Sequence, residues 1–74
     1  MLLRQMQYFV SVVECNSFTE AAERCFVSQS AISQQIKALE SELGVSLILR
    51  KNRGFSITEA GKSFYGRTLA ILNE

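Results

Sequence analysis

Histidine, proline and tryptophan are absent from these 74 residues, and cysteine occurs only twice. Without histidine the chain lacks the side chain that most often exchanges protons near neutral pH, and it has no Gly-rich phosphate loop. The two cysteines, Cys15 and Cys25, do not have the spacing of a zinc site. Glu40 and Glu42 point to different sides of their predicted helix, so they form no carboxylate pair. We therefore expect no enzyme activity, no metal site and no cofactor.

Long apolar segments are also missing. No run approaches the roughly 18 residues that a membrane-spanning helix needs. Polar residues interrupt the first segment, residues 1–14, at helical intervals, and no small-residue cleavage site follows it, so it does not read as a signal peptide. A composition of 47% apolar and 20% charged residues is typical of one globular domain. Cys25 is expected to be a small buried apolar residue and Cys15 a partly exposed one, and both fit a reducing, cytoplasmic setting.

The net charge of +1 hides an uneven distribution. Residues 1–49 contain three basic and five acidic residues, a balance of −2, whereas residues 50–74 contain five basic and two acidic residues, a balance of +3. The positive charge is concentrated at residues 50–53. This clustering predicts a contact with a polyanion at that point of the fold.

The first half of the chain predicts three helices. From Leu3 to Glu14, apolar residues recur every three or four positions and polar residues, Ser11 among them, take the opposite face. Ser17 followed by Glu20 is a capping-box pattern that begins a second helix near Phe18 or Thr19. In the helix from Leu3 to Glu14, the apolar stripe is Leu3, Met6, Phe9, Val10 and Val13, flanked by Tyr8 and Val12.

A break at Val27-Ser28 separates the second helix from a third, which Ser28 caps and Gly44 ends. In the second helix Ala21, Ala22 and Cys25 face inward. The buried stripe of the third is Ile32, Ile36, Leu39 and Leu43. Opposite this stripe, at about 140° to 200° from Ile32, lie Ser30, Gln34, Lys37 and Ser41. Two helices joined by a short turn, the second with a bare polar face, are typical of a helix-turn-helix that enters the major groove of DNA.

Two short β-rich runs, residues 47–49 and 55–57, flank RKNRG and predict a hairpin with a basic tip. Such a hairpin after a DNA-reading helix is the wing of a winged helix-turn-helix. Thr58 caps a last helix that runs to the end of the chain and contains two glycines, Gly61 and Gly66, which we expect to permit close packing. Phe64, Ile71 and Leu72 either complete the core or pack on a second copy.

These segments together resemble the N-terminal DNA-binding domain of LysR-type transcriptional regulators. The resemblance extends from Leu3 to about Gly61 and rests on LRQMQYFVSVVE, SFTEAAERCFVSQSAISQQIKALESELG and LILRKNRGFSITEAG. It implies a mainly α fold, with a winged helix-turn-helix in residues 1–57 (three-helix core, two-stranded wing) and the start of a long linker and dimerisation helix in residues 58–74. It also implies a bacterial, cytoplasmic and nucleoid-associated regulator whose small-molecule effector binds in a domain that this chain does not contain. The resemblance further implies a homodimer through helix 58–74, possible higher oligomers of the full-length protein, and a partly symmetric double-stranded DNA operator.

Three positions depart from the family pattern. Ser30 replaces a usual proline, Gln34 a frequent arginine, and Ile48 a usual aromatic residue before the wing. The first two lie on the reading face, so they alter base preference without changing the fold.

The resemblance assigns DNA contacts to two groups of residues in this chain. Glutamine can pair bidentately with adenine and serine can bond to either strand, and the side chains expected to read bases are Gln29, Ser30, Ser33 and Gln34. Those expected on the backbone or in the minor groove are Thr19, Ser28, Lys37, Arg50, Lys51 and Arg53. Each assignment has a purely structural alternative. Thr19 and Ser28 could serve equally as plain helix caps. The basic tip could be a solubilising turn, and Arg50 could pack against the wing.

Two other classes of function are weaker interpretations. A winged helix that binds proteins usually lacks a basic wing and has apolar residues on the outer face of its third helix, which is the opposite of this chain. An enzyme would need the catalytic groups whose absence is noted above. Sequence-specific binding of double-stranded DNA is therefore the predicted function, with residues 29–43 in the major groove and residues 50–54 on the backbone or minor groove.

Overall fold

The computed structural model describes residues 1–73, and position 74, the last of the predicted helix 58–74, lies outside the described residues. Four helices and one two-stranded sheet follow in the order α1 (Leu3–Cys15), α2 (Phe18–Cys25), α3 (Gln29–Leu43), β1 (Ile48–Arg50), β2 (Phe55–Ile57) and α4 (Glu59–Leu72). The predicted element order and the helix at residues 29–43 are confirmed. No helix in the described part of the chain is long and apolar enough to cross a membrane.

Helix ends follow the capping residues of the sequence. The hydroxyls of Ser17, Ser28 and Thr58 each accept a hydrogen bond from the backbone N–H three residues later, at 3.0, 3.0 and 2.9 Å. Gly44 ends α3 in the left-handed conformation, with φ of 73°. Phe26 does the same for α2 with φ of 59°, although a residue with a Cβ rarely adopts this conformation.

The core lies where α1 meets α2, α3 and the start of the wing. Its buried apolar side chains are Phe9, Val12, Ala21, Ala22, Ile32, Ile36, Leu39, Leu47 and Ile48. The two alanines of α2 leave room for α3 to approach closely. Phe64 of α4 packs against this core, with its ring 5.6 Å from that of Phe9 in an edge-on arrangement.

The predicted face of α1 is wrong in three places. Val12, expected at the margin, is fully buried; Ser11, expected on the polar face, is also buried; and Leu3 is exposed. Val12 and Ser11 are buried because α1 contacts three other helices, so its buried surface is wider than one amphipathic stripe. Leu3 is the first residue of α1. The thiol of Cys25 donates to the Ser11 hydroxyl at 3.4 Å, which gives this buried polar group a partner. Cys25 itself is only partly buried.

The carboxylate of Glu14 connects α1 to the helices on either side. Glu14 accepts from Arg24 of α2 at 2.8 Å and from the Tyr65 hydroxyl of α4 at 3.4 Å. Arg24 also donates to the sulfur of Cys15 at 3.7 Å, a basic neighbour that is nine residues away in sequence. Burial, together with the negative charge of Glu14, raises the pKa of Tyr65.

The wing is a short antiparallel pair of strands, joined by a turn of residues 51–54. Ile48 faces Ile57 and Arg50 faces Phe55 across the sheet. The N–H of Lys51 donates to the carbonyl of Gly54 at 3.0 Å across this turn, so Asn52 and Arg53 lie at its tip. Gly54 has φ of 77°, a conformation that glycine adopts without strain.

The two glycines of α4 differ. A Cβ on Gly61 would lie against the carbonyl oxygen of Leu47 and 2.7 Å from a methyl carbon of Ile57, so close packing is confirmed there. A Cβ on Gly66 would meet nothing within 4 Å. The expectation of close packing at Gly66 is therefore wrong within this chain, because that side of α4 faces away from the core.

Candidate nucleic-acid interface

The exposed surface of α3 carries the side chains that were predicted to read bases. Gln29, Ser30 and Gln34 are exposed, and Ser33 is partly buried at the edge of the same face. Together with Lys37 they line a shallow, open depression that runs along the first two turns and a half of the helix. Because Ile32, Ile36 and Leu39 occupy the opposite side in the core, this polar face is held outward by the packing itself.

A hydrogen bond between α2 and α3 fixes one of these side chains. The Thr19 hydroxyl donates to Oε1 of Gln29 at 3.2 Å. The amide oxygen of Gln29 is thereby occupied, and its NH₂ group remains as a donor for an acceptor outside the protein. The sequence placed Thr19 and Gln29 in separate roles, whereas the structure couples them.

A cleft of about 480 Å³ lies between the start of α2, the start of α3 and the base of the wing. Four predicted site residues besides Thr19 line it, namely Gln29, Ser33, Arg50 and Lys51. Sequence reasoning missed the others, which are Asn16, Ser17, Phe18, Gly54 and Phe55. Ser17 had been recognised only as a cap, and nothing local in the sequence indicates that the two aromatic rings line the same cleft as the reading helix.

The basic residues of the interface fall into two groups. Lys37, Lys51 and Arg53 are exposed and, within residues 1–73, take part in no ion pair. Arg50 is different, because its Nη1 lies 3.6 Å from Oε1 of Glu40 and its guanidinium lies over the Phe18 ring at 5.4 Å from the centroid. The structure thus leaves three cations available to an anionic partner and engages the fourth within the protein.

Arg53 and Ser28 lie at the margins of the surface. Arg53 is exposed at the tip of the wing but lines neither the cleft nor the depression on α3. Ser28 is exposed, and its hydroxyl accepts from the N–H of Ala31, so it acts as a helix cap in this structure. The other predicted residues share two adjoining concavities, with Gln29 and Ser33 common to both.

Comparisons with known proteins agree on one family. The family model described as bacterial regulatory helix-turn-helix protein, lysR family, matches residues 3–62. The chain is 49% identical over 97% of its length to the HTH-type transcriptional regulator BudR of Raoultella terrigena, of which it covers 25%. It is 43% identical over its full length to the nitrogen assimilation regulatory protein nac of Escherichia coli, of which it covers 24%. The chain thus spans about a quarter of the length of these relatives.

Solved structures give the same result in three dimensions. A complex of the BenM DNA-binding domain with catB site 1 DNA matches 99% of this chain with a TM-score of 0.93 and 42% identity, and the match covers 81% of the BenM chain. A complex of the CbnR DNA-binding domain with DNA has the same TM-score and identity over 99% of this chain and 84% of that one. The family model, the sequence identities and the shared winged fold together show that the chain belongs to the LysR family of bacterial regulatory helix-turn-helix proteins.

Proposed function

We propose that this chain is a sequence-specific, double-stranded DNA-binding domain of a bacterial transcriptional regulator. The observation that carries the proposal is the polar face of α3, which stands clear of the core and adjoins a wing whose Lys51 and Arg53 form no ion pair within residues 1–73. The solved relatives with DNA support it, because they share the fold at a TM-score of 0.93. No large apolar side chain of α3 is exposed, which does not suit a protein-binding winged helix.

In this proposal α3 lies in the major groove, and Gln29, Ser30, Ser33 and Gln34 read base edges. Gln34 is exposed and can pair bidentately with an adenine. Gln29, whose oxygen accepts from Thr19, presents its NH₂ group and so favours a base acceptor such as the N7 or O6 of guanine.

The remaining predicted contacts are to the backbone. Lys37 follows the reading residues on the same face of α3, and Thr19 and Ser28 place hydroxyls at the starts of α2 and α3, where backbone amides attract phosphate. Lys51 and Arg53 extend the surface onto the wing, and arginine suits a narrow minor groove. Arg50 belongs to the same surface, and its engagement with Glu40 is taken up below.

We further propose that residues 1–57 form the DNA-binding unit and that residues 58–74 begin a linker helix that pairs two copies. Phe64 completes the core of its own domain, whereas Ile71 is 56% exposed and available to a second copy. A two-fold dimer reads a partly symmetric operator with half-sites about one helical turn, or a multiple of it, apart. The effector site would lie in the rest of a longer protein, which acts at the nucleoid in the cytoplasm.

The test is selection of binding sites from random duplexes, followed by fluorescence anisotropy on the selected duplex and a scrambled one. We expect tighter binding to the selected duplex, and a slope of log K against log salt of about −0.9 for each phosphate neutralised. A folded dimer that binds no duplex, or binds every duplex equally and without salt dependence, would contradict the proposal.

A further inference from the structure

Glu40 is a carboxylate on α3 that pairs with Arg50 of the proposed interface, and its side chain is only 14% exposed. One of its oxygens, Oε2, accepts hydrogen bonds from the backbone N–H groups of Leu47 and Ile48 at 2.8 and 3.0 Å. These two amides form the entrance to β1, and both residues are buried. A single carboxylate on the reading helix therefore fixes the point at which the wing begins, through two charge-assisted hydrogen bonds.

The second oxygen reaches the far end of the same strand. Oε1 lies 3.6 Å from Nη1 of Arg50, whose guanidinium lies over the ring of Phe18 at the start of α2. That ring in turn packs edge-on against Phe55 of β2, at 5.1 Å between centroids. A continuous set of contacts thus connects α3, both wing strands and the start of α2, with Glu40 at its centre.

The position of Glu40 on α3 links these contacts to base reading. At 100° per residue, Glu40 lies within about 20° of both Gln29 and Ser33 on the helix surface, further along towards the C-terminus. The same flank of α3 forms one wall of the cleft whose other wall is Arg50 and Lys51. The width of that cleft therefore depends on how Glu40 holds the strand.

Resting on the proposed DNA-binding function, we propose that Glu40 is a positioning residue for specific recognition and that it acts through Arg50. The pair sets the wing at a fixed distance from α3, so that wing and helix engage one duplex together. Arg50 is a tether in this arrangement, and Lys51, Arg53 and Lys37 supply the phosphate contacts.

This proposal predicts a loss of specificity that simple electrostatics does not predict. Removal of a negative charge beside a DNA-binding surface should strengthen binding to any duplex. We expect instead that Glu40→Gln lowers the ratio of affinities for the selected and scrambled duplexes by about tenfold, because the wing is no longer held in register with α3. Binding to the scrambled duplex stays the same or becomes tighter.

The matched control is Glu42→Gln. It makes the same charge change two residues away, on a side chain that is 48% exposed and pairs only with the N-terminal ammonium among residues 1–73. We expect its affinity ratio to stay within about twofold of the unmodified chain. A merely structural role for Glu40 would reduce binding to both duplexes in proportion to the folded fraction, which leaves the ratio unchanged.

A second variant, Arg50→Lys, keeps the positive charge but not the planar group that stacks on Phe18. If Arg50 tethers the wing, Arg50→Lys also lowers the ratio of affinities for the selected and scrambled duplexes. The double variant with Glu40→Gln then lowers this ratio no further than either single variant. If Arg50 contacts phosphate directly, Arg50→Lys retains the ratio and the inference is wrong. Arg50→Lys therefore also tests the inference if Glu40→Gln does not fold.

The outcomes separate this inference from the function on which it rests. An unmodified chain that does not distinguish the two duplexes contradicts the proposed function. An unmodified chain that does distinguish them, with Glu40→Gln indistinguishable from Glu42→Gln, overturns only the positioning role.

Discussion

At single positions this domain contains backbone conformations that lower its free energy of unfolding. Phe26 is the clearest example, because it ends α2 with a positive φ of 59° while the residue is 94% exposed. A left-handed conformation costs a residue with a Cβ about 1–2 kcal/mol. The ring recovers little of this cost, since it buries almost no surface against residues 1–73.

Replacement of Phe26 by glycine should therefore stabilise the domain by about 1 kcal/mol, after the greater entropy of glycine in the unfolded chain is included. Urea denaturation followed by circular dichroism measures the change. Phe26→Ala is the control, because it removes the ring but keeps the Cβ in the left-handed conformation, and we expect it to change stability by less than about 0.5 kcal/mol. A glycine variant less stable than the alanine variant would show that the ring contributes to stability.

Base specificity and general affinity for DNA should depend on different residues, Gln34 and Arg53. Gln34→Ala removes a base-reading amide and should cost about 1–3 kcal/mol on the selected duplex, with little loss on a scrambled one. Arg53→Ala removes a wing cation and should weaken both duplexes more evenly, with a salt slope smaller by about 1. Fluorescence anisotropy at several salt concentrations measures both. Equal losses on the two duplexes for Gln34→Ala would exclude its reading role.

Among the elements, α4 has two distinct sides. Gly61 lies against the Leu47 carbonyl and Ile57, which ties the start of the helix to the α3–β1 loop and the wing. Thr58 adds to this connection, because its N–H donates to the Leu47 carbonyl at 3.0 Å and its hydroxyl to the Ser46 carbonyl at 2.6 Å. Gly66, less than two turns later, has open space around its Cα.

The same substitution at these two glycines should have opposite effects. Gly61→Ala should destabilise the domain by about 1–3 kcal/mol, because its Cβ would overlap backbone that cannot move aside. Gly66→Ala should stabilise it by about 1 kcal/mol through helix propensity alone. Thermal unfolding of both variants, at concentrations where the chain is monomeric, provides the test. Destabilisation by Gly66→Ala under these conditions would mean that its side of α4 is packed.

For the whole molecule, the proposed dimer depends on an apolar residue that the single chain leaves uncovered. Ile71→Glu should shift the chain to the monomer without lowering the stability of that monomer, because this side chain is 56% exposed. Sedimentation velocity measures the change. Leu49→Glu is a matched control, since Leu49 is also 56% exposed but lies on the wing. A dimer that persists in Ile71→Glu, or dissociates in Leu49→Glu, would place the contact elsewhere.

Local patterns were sufficient for much of this protein. Ser17, Ser28, Thr58 and Gly44 act within one helical turn, so helix boundaries could be predicted from them, and the outward face of α3 followed from the spacing of Ile32, Ile36 and Leu39. These features depend on interactions between residues three or four positions apart, which the sequence displays directly.

Contacts between distant residues were decided only by the tertiary structure. Each of these contacts requires two elements to meet at a particular angle. They are the burial of Ser11 and Val12, the ion pair between Glu40 and Arg50, and the hydrogen bond from Thr19 to Gln29. Periodicity shows which face of a helix is apolar, but it does not show how many neighbours cover the helix or which side chain a charge will meet. The sequence alone determined the elements, the helix ends and the polar face of α3, whereas packing decided which polar side chains stay exposed and which connect α3 to the wing.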